Sequence, residues 1–156
     1  HLKHIERVQG FVDRAKADGA TIAYGGNVNT ALGTHYFEPT LVVDAEPGSE
    51  ILTEEVFGPV LTMQTFDTDE EGLALANGTE FGLAACVVSG DRARAEAFTK
   101  HLVAGTIWVN CFFVRDLSAP FGGSKKSGIG REGGVWSFDF YADVKNTVFA
   151  PNGWKD

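Results

Sequence analysis

Short apolar runs alternate with amphipathic helical segments between residues 60 and 110, and this alternation constrains the fold more than any other feature of the sequence. The strand patterns cover Val60–Phe66, Leu83–Ser89 and Thr106–Asn110, and a helix pattern separates each of them from the next. Strand–helix–strand units of this kind form right-handed crossovers between parallel strands. The sequence therefore predicts an α/β fold, with a largely parallel sheet and flanking helices.

Apolar spacing and capping residues place three helices. The first fills the start of the chain up to Gly19, because apolar side chains recur there every three or four residues. The T-x-x-E pattern of Thr68 and Glu71 forms a capping box that opens the second helix, and Asp91 caps the third. Three further strands are predicted over Thr21–Tyr24, Tyr36–Val43 and Val144–Phe149.

Length, charge and cysteine content disfavour several classes of protein. A chain of 156 residues is about the size of one domain, so we expect one compact unit. A net charge of -8 with scattered basic residues disfavours nucleic acid and anionic membranes as partners. Two cysteines are too few for a disulfide scaffold, and no apolar run approaches the ~20 residues of a membrane span, so we expect a cytoplasmic protein. Because the chain begins in a helix pattern without Met, we expect a fragment of a longer protein.

Residues 111–134 break the alternation with a glycine-rich stretch that has neither helix nor strand periodicity. Long loops of this kind inside compact domains usually have a function. The stretch contains a G-x-G-x-x-G pattern at Gly128–Gly133, which in dinucleotide-binding domains joins a strand to a helix. Polar residues precede the pattern here, so the context disfavours that interpretation.

Two groups of residues could contact a ligand, and composition alone leaves both of them open. Glu54–Pro59 combines two carboxylates, an aromatic ring and a rigid Gly-Pro pair, which suits either a ribose-binding loop or a solvated acidic turn. Arg115 lies among phenylalanines, where its guanidinium could hold a substrate carboxylate or simply pair with Asp116.

The cysteines and histidines do not form a catalytic or metal-binding pattern. Cys111 follows a predicted strand but has no evident base, so we favour a structural cysteine over a nucleophile. Cys86 lies within an apolar strand pattern and is predicted to be a core residue. No metal-ligand spacing is present, so no metal site is predicted.

Four segments, taken in order, resemble the C-terminal part of the NAD(P)-dependent aldehyde dehydrogenase family. They read TEEVFGPV at residues 53–60, NGTEFGLA at 77–84, GTIWVN at 105–110 and PFGGSKKSGIGRE at 120–132. The resemblance covers essentially the whole chain and implies the fold of a portion of that family's catalytic domain. Within the family, VRDL at 114–117 and WSF at 136–138 are most similar to hydroxymuconic-type semialdehyde dehydrogenases, particularly those acting on 5-carboxymethyl-2-hydroxymuconate semialdehyde.

The resemblance implies oxidation of an aldehyde to an acid with NAD as the cofactor, NADP not being excluded. In the family a cysteine thiolate adds to the carbonyl, a hydride passes to the nicotinamide, and a glutamate-activated water hydrolyses the thioester. The nucleophilic cysteine, the general base and the dinucleotide-binding domain all precede the stretch matched here. We therefore expect no catalytic residue within this chain and no activity from the chain alone.

The resemblance also implies roles for individual residues. Glu55 corresponds to the carboxylate that binds the ribose beside the nicotinamide, Phe57 packs near that ribose, and Leu83 borders the nicotinamide. The positions that line the aldehyde tunnel are Phe113, Arg115 and Phe121. Arg115 replaces an aromatic or apolar residue there, which favours a carboxylated aldehyde as the small-molecule substrate.

The end of the chain resembles an arm that joins subunits in the family. The chain then divides into a catalytic portion over residues 1–143 and an oligomerisation arm and tail over residues 144–156, and we expect a homo-oligomer formed through the strand Val144–Phe149. Two other functions remain open, namely a generalist aldehyde dehydrogenase and a non-catalytic binding or oligomerisation module.

Overall fold

A computed structural model describes residues 1–153, and the chain divides into two compact units. The first unit contains residues 1–80 and 96–102, and the second contains residues 81–95 and the chain from Val103 onward. The expectation of one compact unit is therefore wrong. Its physical reason lies in the core, because the cluster of buried apolar side chains that the structure describes draws all of its members from the first unit.

The elements follow in the order α1 (Leu2–Ala17), β1 (Thr21–Tyr24), β2 (Thr40–Val43), α2 (Glu50–Thr53), β3 (Val60–Thr62), α3 (Asp69–Asn77), β4 (Phe81–Gly82), β5 (Ala84–Val87), α4 (Arg92–His101), β6 (Thr106–Val109), β7 (Ser124–Lys125) and α5 (Trp136–Tyr141). They build three small sheets, β1-β2-β3, β4-β7 and β5-β6. The β2–β3 and β5–β6 pairs are parallel, whereas β1–β2 and β4–β7 are antiparallel. The α/β class is confirmed, but the sheets are small and only β1-β2-β3 combines a parallel with an antiparallel pair. The parallel pairs are the two whose strands are joined by a helical crossover.

Helix α1 supplies one face of the core in the first unit. Its buried side chains recur at helical spacing and are Val8, Phe11, Val12 and Ala15. Three of them cluster with Val42 of β2, Ile51 of α2 and Val56. The helix ends at Ala17, and Gly19 has a φ of +96°, which a residue without a Cβ adopts at no steric cost. The first predicted helix is confirmed.

Several strands are shorter than the sequence pattern predicts. Pro39 cannot donate to a ladder, so only Thr40–Val43 of the predicted strand Tyr36–Val43 forms β2. The apolar run Leu83–Ser89 yields β5 over Ala84–Val87, in which exposed and half-buried residues alternate. Cys86 lies on the exposed side of this alternation, so its prediction as a core residue is wrong.

The end of the described chain differs from its prediction. Trp136–Tyr141 forms the short helix α5, although the sequence pattern predicts no helix there. The predicted strand Val144–Phe149 is wrong for the single chain, because residues 144–149 form no strand and Val144 and Phe149 are 91% and 86% exposed. A strand needs a partner for its backbone groups, and this segment has none within residues 1–153. No helix within that same range is long and apolar enough to cross a membrane.

Candidate functional site

The segment Glu54–Pro59, which we call the carboxylate loop, follows α2 in the first unit and crosses helix α1. Val56 is buried in the core, whereas Glu55 and Phe57 on either side of it are exposed. A Cβ on Gly58 would lie 2.6 Å from the side chain of Val8, so the loop crosses the helix as closely as its backbone allows. The buried middle residue therefore anchors a loop whose two flanking side chains face solvent.

Two side chains of α1 hold the backbone of the carboxylate loop. Arg7 Nη2 donates to the carbonyl oxygen of Glu55 at 2.8 Å, and His4 Nε2 lies 2.6 Å from the carbonyl oxygen of Phe57. The rings of His4 and Phe57 also meet edge to face, with centroids 6.0 Å apart. Sequence reasoning missed both residues, although their spacing of three places them on the same side of the helix.

The exposed side chains of the carboxylate loop are available to a ligand. The Glu55 carboxylate forms no hydrogen bond or ion pair within residues 1–153, while its backbone carbonyl is fixed by Arg7. Phe57 is 72% exposed and has a φ of +56°. A non-glycine residue in this region stores strain of about 1–3 kcal/mol, and such residues cluster at sites that contact ligands. The structure thus places Glu55 and Phe57 side by side on one braced loop.

In the second unit, Arg115 lies on a surface of phenylalanine rings. Its guanidinium carbon is 4.3 Å from the centroid of the Phe121 ring and 5.9 Å from that of Phe113, distances at which a cation is attracted to the ring face. The Nη2 atom of Arg115 is 3.6 Å from Oε1 of Glu132. The structure therefore brings together the three residues predicted to contact the substrate.

Asp116 is not the partner of Arg115, so the pairing considered from the sequence is wrong. The carboxylate of Asp116 accepts hydrogen bonds from the backbone nitrogen and the hydroxyl of Ser118, at 2.9 and 2.6 Å. These two bonds hold the pKa of Asp116 below its usual value. Sequence reasoning missed Glu132 because it lies in a separate segment that only folding brings to Arg115.

Glu132 and Phe121 are held next to each other by backbone pairing. The backbone nitrogen of each donates to the carbonyl oxygen of the other at 2.8 Å, forming an isolated antiparallel bridge. Residues 111–121, which we call the aromatic loop, are also tied at their start. Trp108 Nε1 donates to the Val114 carbonyl oxygen at 2.8 Å, and the side chain of Asn110 exchanges two hydrogen bonds of 2.9 Å with the backbone of Ser89.

A cavity of about 300 Å³ lies beside Phe121 in the second unit. Leu83 and Glu132 are among the residues that line it, so the structure brings the predicted cofactor contact Leu83 to the same cavity as Phe121. Arg131 also lines the cavity and holds its glycine-rich segment together, because its Nη1 donates to the carbonyl oxygens of Gly123 and Gly130 at 2.7 Å. Glu55 and Phe57 belong to the first unit.

The glycine-rich wall contains the G-x-G-x-x-G pattern, and its surroundings differ from those of a dinucleotide fingerprint. A Cβ on Gly130 would overlap the ring of Phe140, and one on Gly133 would overlap the carbonyl oxygen of Ala119. These glycines make room for other parts of the protein. The pattern also follows the two-residue strand β7 and precedes the six-residue helix α5, which is too short for the usual strand–turn–helix unit.

The two cysteines lie near each other in the second unit. Cys86 Sγ donates to the carbonyl oxygen of Cys111 at 3.2 Å, and both residues are exposed and form no disulfide. No group of three or more potential metal ligands is found among the residues that the structure describes.

In a comparison with models of protein families, residues 1–147 match the aldehyde dehydrogenase family. Among individual proteins, the chain is 45% identical over 144 residues to aminoaldehyde dehydrogenase 2 of Solanum lycopersicum, covering 92% of this chain and 28% of that protein. It is 42% identical over 149 residues to 2-hydroxymuconic semialdehyde dehydrogenase of Pseudomonas sp. strain CF600, covering 93% of this chain and 31% of that protein.

Solved structures give the same result. The chain is 40% identical to the betaine aldehyde dehydrogenase of Staphylococcus aureus in complex with NAD+, with a TM-score of 0.83 over 89% of this chain and 28% of that one. It is 38% identical to the indole-3-acetaldehyde dehydrogenase of P. syringae in complex with NAD+, with a TM-score of 0.86 over 93% of this chain and 30% of that one. The chain thus spans about a third or less of the length of these proteins.

Proposed function

Because the chain belongs to the aldehyde dehydrogenase family, we propose that it forms the C-terminal catalytic portion of an NAD(P)-dependent enzyme that oxidises an aldehyde to an acid. The observation that carries this proposal is the carboxylate loop, in which an exposed, unpaired carboxylate and an outward aromatic ring are held by a braced backbone. The nucleophile and the general base belong to the remainder of the enzyme.

The carboxylate loop fits the ribose beside the nicotinamide. A carboxylate can accept hydrogen bonds from both hydroxyls of a ribose, and a phenyl ring can pack on the flat face of the sugar or base. Glu55 would bind the hydroxyls, and Phe57 would pack beside them. NAD, when bound, would supply the hydride acceptor for the oxidation, and Glu55 and Phe57 would hold it in position.

Replacing Glu55 with Gln in the complete enzyme tests the cofactor assignment. An amide offers one acceptor oxygen and no charge, so we expect NAD to bind about tenfold more weakly and hydride transfer to slow, as measured by fluorescence titration and single-turnover kinetics. Glu54→Gln is the matched control, because Glu54 is the neighbouring exposed carboxylate and lies outside the predicted site. Unchanged NAD affinity in Glu55→Gln would contradict the assignment.

We propose further that the substrate carries a carboxylate, as in the hydroxymuconic-type semialdehydes, including 5-carboxymethyl-2-hydroxymuconate semialdehyde. Arg115 supports this, because its two-pronged guanidinium lies on aromatic rings and its 3.6 Å contact with Glu132 is too long for a strong hydrogen bond. A substrate carboxylate would give the guanidinium a closer partner. The similarity to 2-hydroxymuconic semialdehyde dehydrogenase supports the same substrate class.

The substrate class is tested by Arg115→Ala in the complete enzyme. We expect kcat/KM for a carboxylated semialdehyde to fall about tenfold, a loss of about 1.4 kcal/mol, because the variant removes the charged partner of the substrate carboxylate. An uncharged aldehyde of similar length should be affected much less. Arg115→Lys keeps the charge but not the paired donors. Its kcat/KM for the carboxylated semialdehyde should lie between those of the parent enzyme and Arg115→Ala. Equal losses on both substrates would show that Arg115 is structural.

Two other functions are separated by the same measurements. A generalist aldehyde dehydrogenase would oxidise both substrates with similar kcat/KM and would not depend on Arg115. A non-catalytic binding or oligomerisation module would show no aldehyde oxidation even in the complete polypeptide. We also propose that the protein forms homo-oligomers through residues 144–149 and is cytoplasmic. The exposed, apolar side chains of Val144 and Phe149 support the first proposal, and two cysteines without a disulfide support the second.

A further inference from the structure

We infer that His4 and Arg7 of helix α1 are positioning residues for the cofactor, acting through the backbone of the carboxylate loop. The inference rests on the proposed role of Glu55 and Phe57 in binding NAD. It assigns a function to two side chains at the border of the helix face that forms the core.

The middle of the carboxylate loop depends on these two side chains. Backbone hydrogen bonds fix its ends, since the Glu54 nitrogen donates to Glu50 and the Pro59 carbonyl oxygen accepts from Thr40. Between those ends, and within residues 1–153, side chains of α1 alone bond the carbonyl oxygens of Glu55 and Phe57. Without them, the carbonyl oxygens of the two residues that carry the proposed cofactor contacts would have no hydrogen-bond donor within residues 1–153.

The strain at Phe57 makes the contact with His4 consequential. The left-handed backbone of Phe57 costs free energy, and it persists only where the surroundings hold it. A carbonyl oxygen can only accept, so Nε2 of His4 must carry the hydrogen of the 2.6 Å bond. The edge-to-face contact of the two rings then fixes the direction of the Phe57 side chain as well as its backbone.

Arg7 holds the other side of the loop with a guanidinium that is itself oriented. Its guanidinium carbon lies 4.6 Å from the centroid of the Phe11 ring, and Phe11 is a core residue. A stacked, planar donor loses little freedom when it bonds the Glu55 carbonyl oxygen. Arg7 therefore links the backbone of Glu55, which carries the carboxylate, to the core residue Phe11.

The test uses His4→Leu and Arg7→Met in the complete enzyme, with His4→Gln as the rescue variant and Glu6→Gln as the control. Leu and Met remove the donor but keep much of the volume, and Gln restores an amide donor at similar reach. Glu6 is exposed on the same turn of α1. NAD affinity is measured by fluorescence titration, KM by steady-state kinetics with a carboxylated semialdehyde, and loop protection by hydrogen exchange of residues 54–60.

We expect each donor-removing variant to weaken NAD binding about threefold to tenfold, the range that one net hydrogen bond supplies. KM for the aldehyde should stay within about twofold, and hydrogen exchange should accelerate in residues 54–60 but not elsewhere. His4→Gln should recover most of the affinity, and Glu6→Gln should match the parent enzyme.

Three results would overturn the inference. These are unchanged NAD affinity and loop exchange in His4→Leu, a His4→Gln variant as impaired as His4→Leu, and a general acceleration of exchange that reveals a purely structural role. The Glu55→Gln variant separates the two levels of the argument. If Glu55→Gln weakens NAD binding but His4→Leu does not, only this inference fails, whereas an unaffected Glu55→Gln removes the proposed cofactor site itself.

Discussion

Hydrogen bonds from one residue, Ser118, decide which partners the charged side chains of Arg115 and Asp116 have. Ser118 occupies the carboxylate of Asp116 with two bonds, which leaves the neighbouring guanidinium of Arg115 to the phenylalanine rings and to Glu132. Adjacent residues of opposite charge would otherwise be expected to pair with each other. The local turn therefore preserves a cation that can still accept an anionic ligand.

The lowered pKa of Asp116 gives a prediction with a defined sign. A carboxyl whose pKa is lower in the folded state stabilises that state above its unfolded pKa of ~3.9, and this contribution is lost as the pH falls through the folded value. In Ser118→Ala we expect the pKa of Asp116 to rise toward its usual value, as followed by carboxyl-carbon NMR between pH 3 and 6. Ser127→Ala removes a hydroxyl that bonds the Gly82 nitrogen instead and should leave the pKa of Asp116 unchanged. A shift of equal size in both variants would contradict the assignment.

At the scale of elements, α3 shows that capping residues can predict where a helix begins. Thr68 Oγ1 accepts from the Glu71 nitrogen at 3.2 Å, as the predicted capping box requires. The return bond differs, because the Glu71 carboxylate accepts from the nitrogen of Asp67, one residue before the cap. The start of the helix was thus predictable from a local pattern, and only the reciprocal partner was not.

The cap of α3 should contribute measurably to stability. Thr68→Ala removes the acceptor for the Glu71 nitrogen, so we expect the free energy of unfolding to fall by about 1 kcal/mol in urea titrations. Thr68→Ser keeps the hydroxyl and should lose at most a few tenths of that. A Thr68→Ala variant as stable as Thr68→Ser would show that the bond is not formed in solution.

Elements defined by local spacing were predictable, and elements defined by distant partners were not. The bounds of β1 match the prediction over Thr21–Tyr24, and Asp91 accepts from the Arg94 nitrogen at the start of α4 as a cap should. The strand predicted over Val144–Phe149 has no partner strand within residues 1–153, and β4 and β7 exist only because two segments far apart in the sequence meet at Gly82 and Ser124. Periodicity contains no information about such meetings.

The same distinction holds for the candidate site. Glu55 and Arg115 could be singled out because a carboxylate beside Gly-Pro and a cation among phenylalanines are unusual in composition. Their actual supports, Arg7 for the first and Glu132 for the second, come from other elements. A helical wheel of α1 would have placed Arg7 beside the core residue Phe11, but its acceptor on the carboxylate loop required the fold.

At the scale of the whole molecule, the chain alone should not oxidise aldehydes. The resemblance places the nucleophile, the base and the dinucleotide-binding domain outside these residues, and the chain spans 28% to 31% of the proteins compared above. We expect no formation of NADH above the buffer blank when the purified 156-residue chain is mixed with NAD and a semialdehyde. The complete enzyme serves as the positive control. Turnover that disappears in Cys111→Ala would show that the active site lies within this chain.

The glycine wall of the cavity also bears on how this protein could evolve. A Cβ on Gly105 would overlap the carbonyl oxygen of Gly122, one on Gly122 would crowd the carbonyl oxygen of Gly130, and one on Gly130 would overlap the ring of Phe140. Almost every substitution at these glycines would therefore clash with neighbouring atoms. The aromatic loop, by contrast, has exposed side chains at nearly every position. We therefore expect residues 111–121 to vary freely over evolutionary time while these glycines stay fixed, so that new binding preferences would arise in the loop.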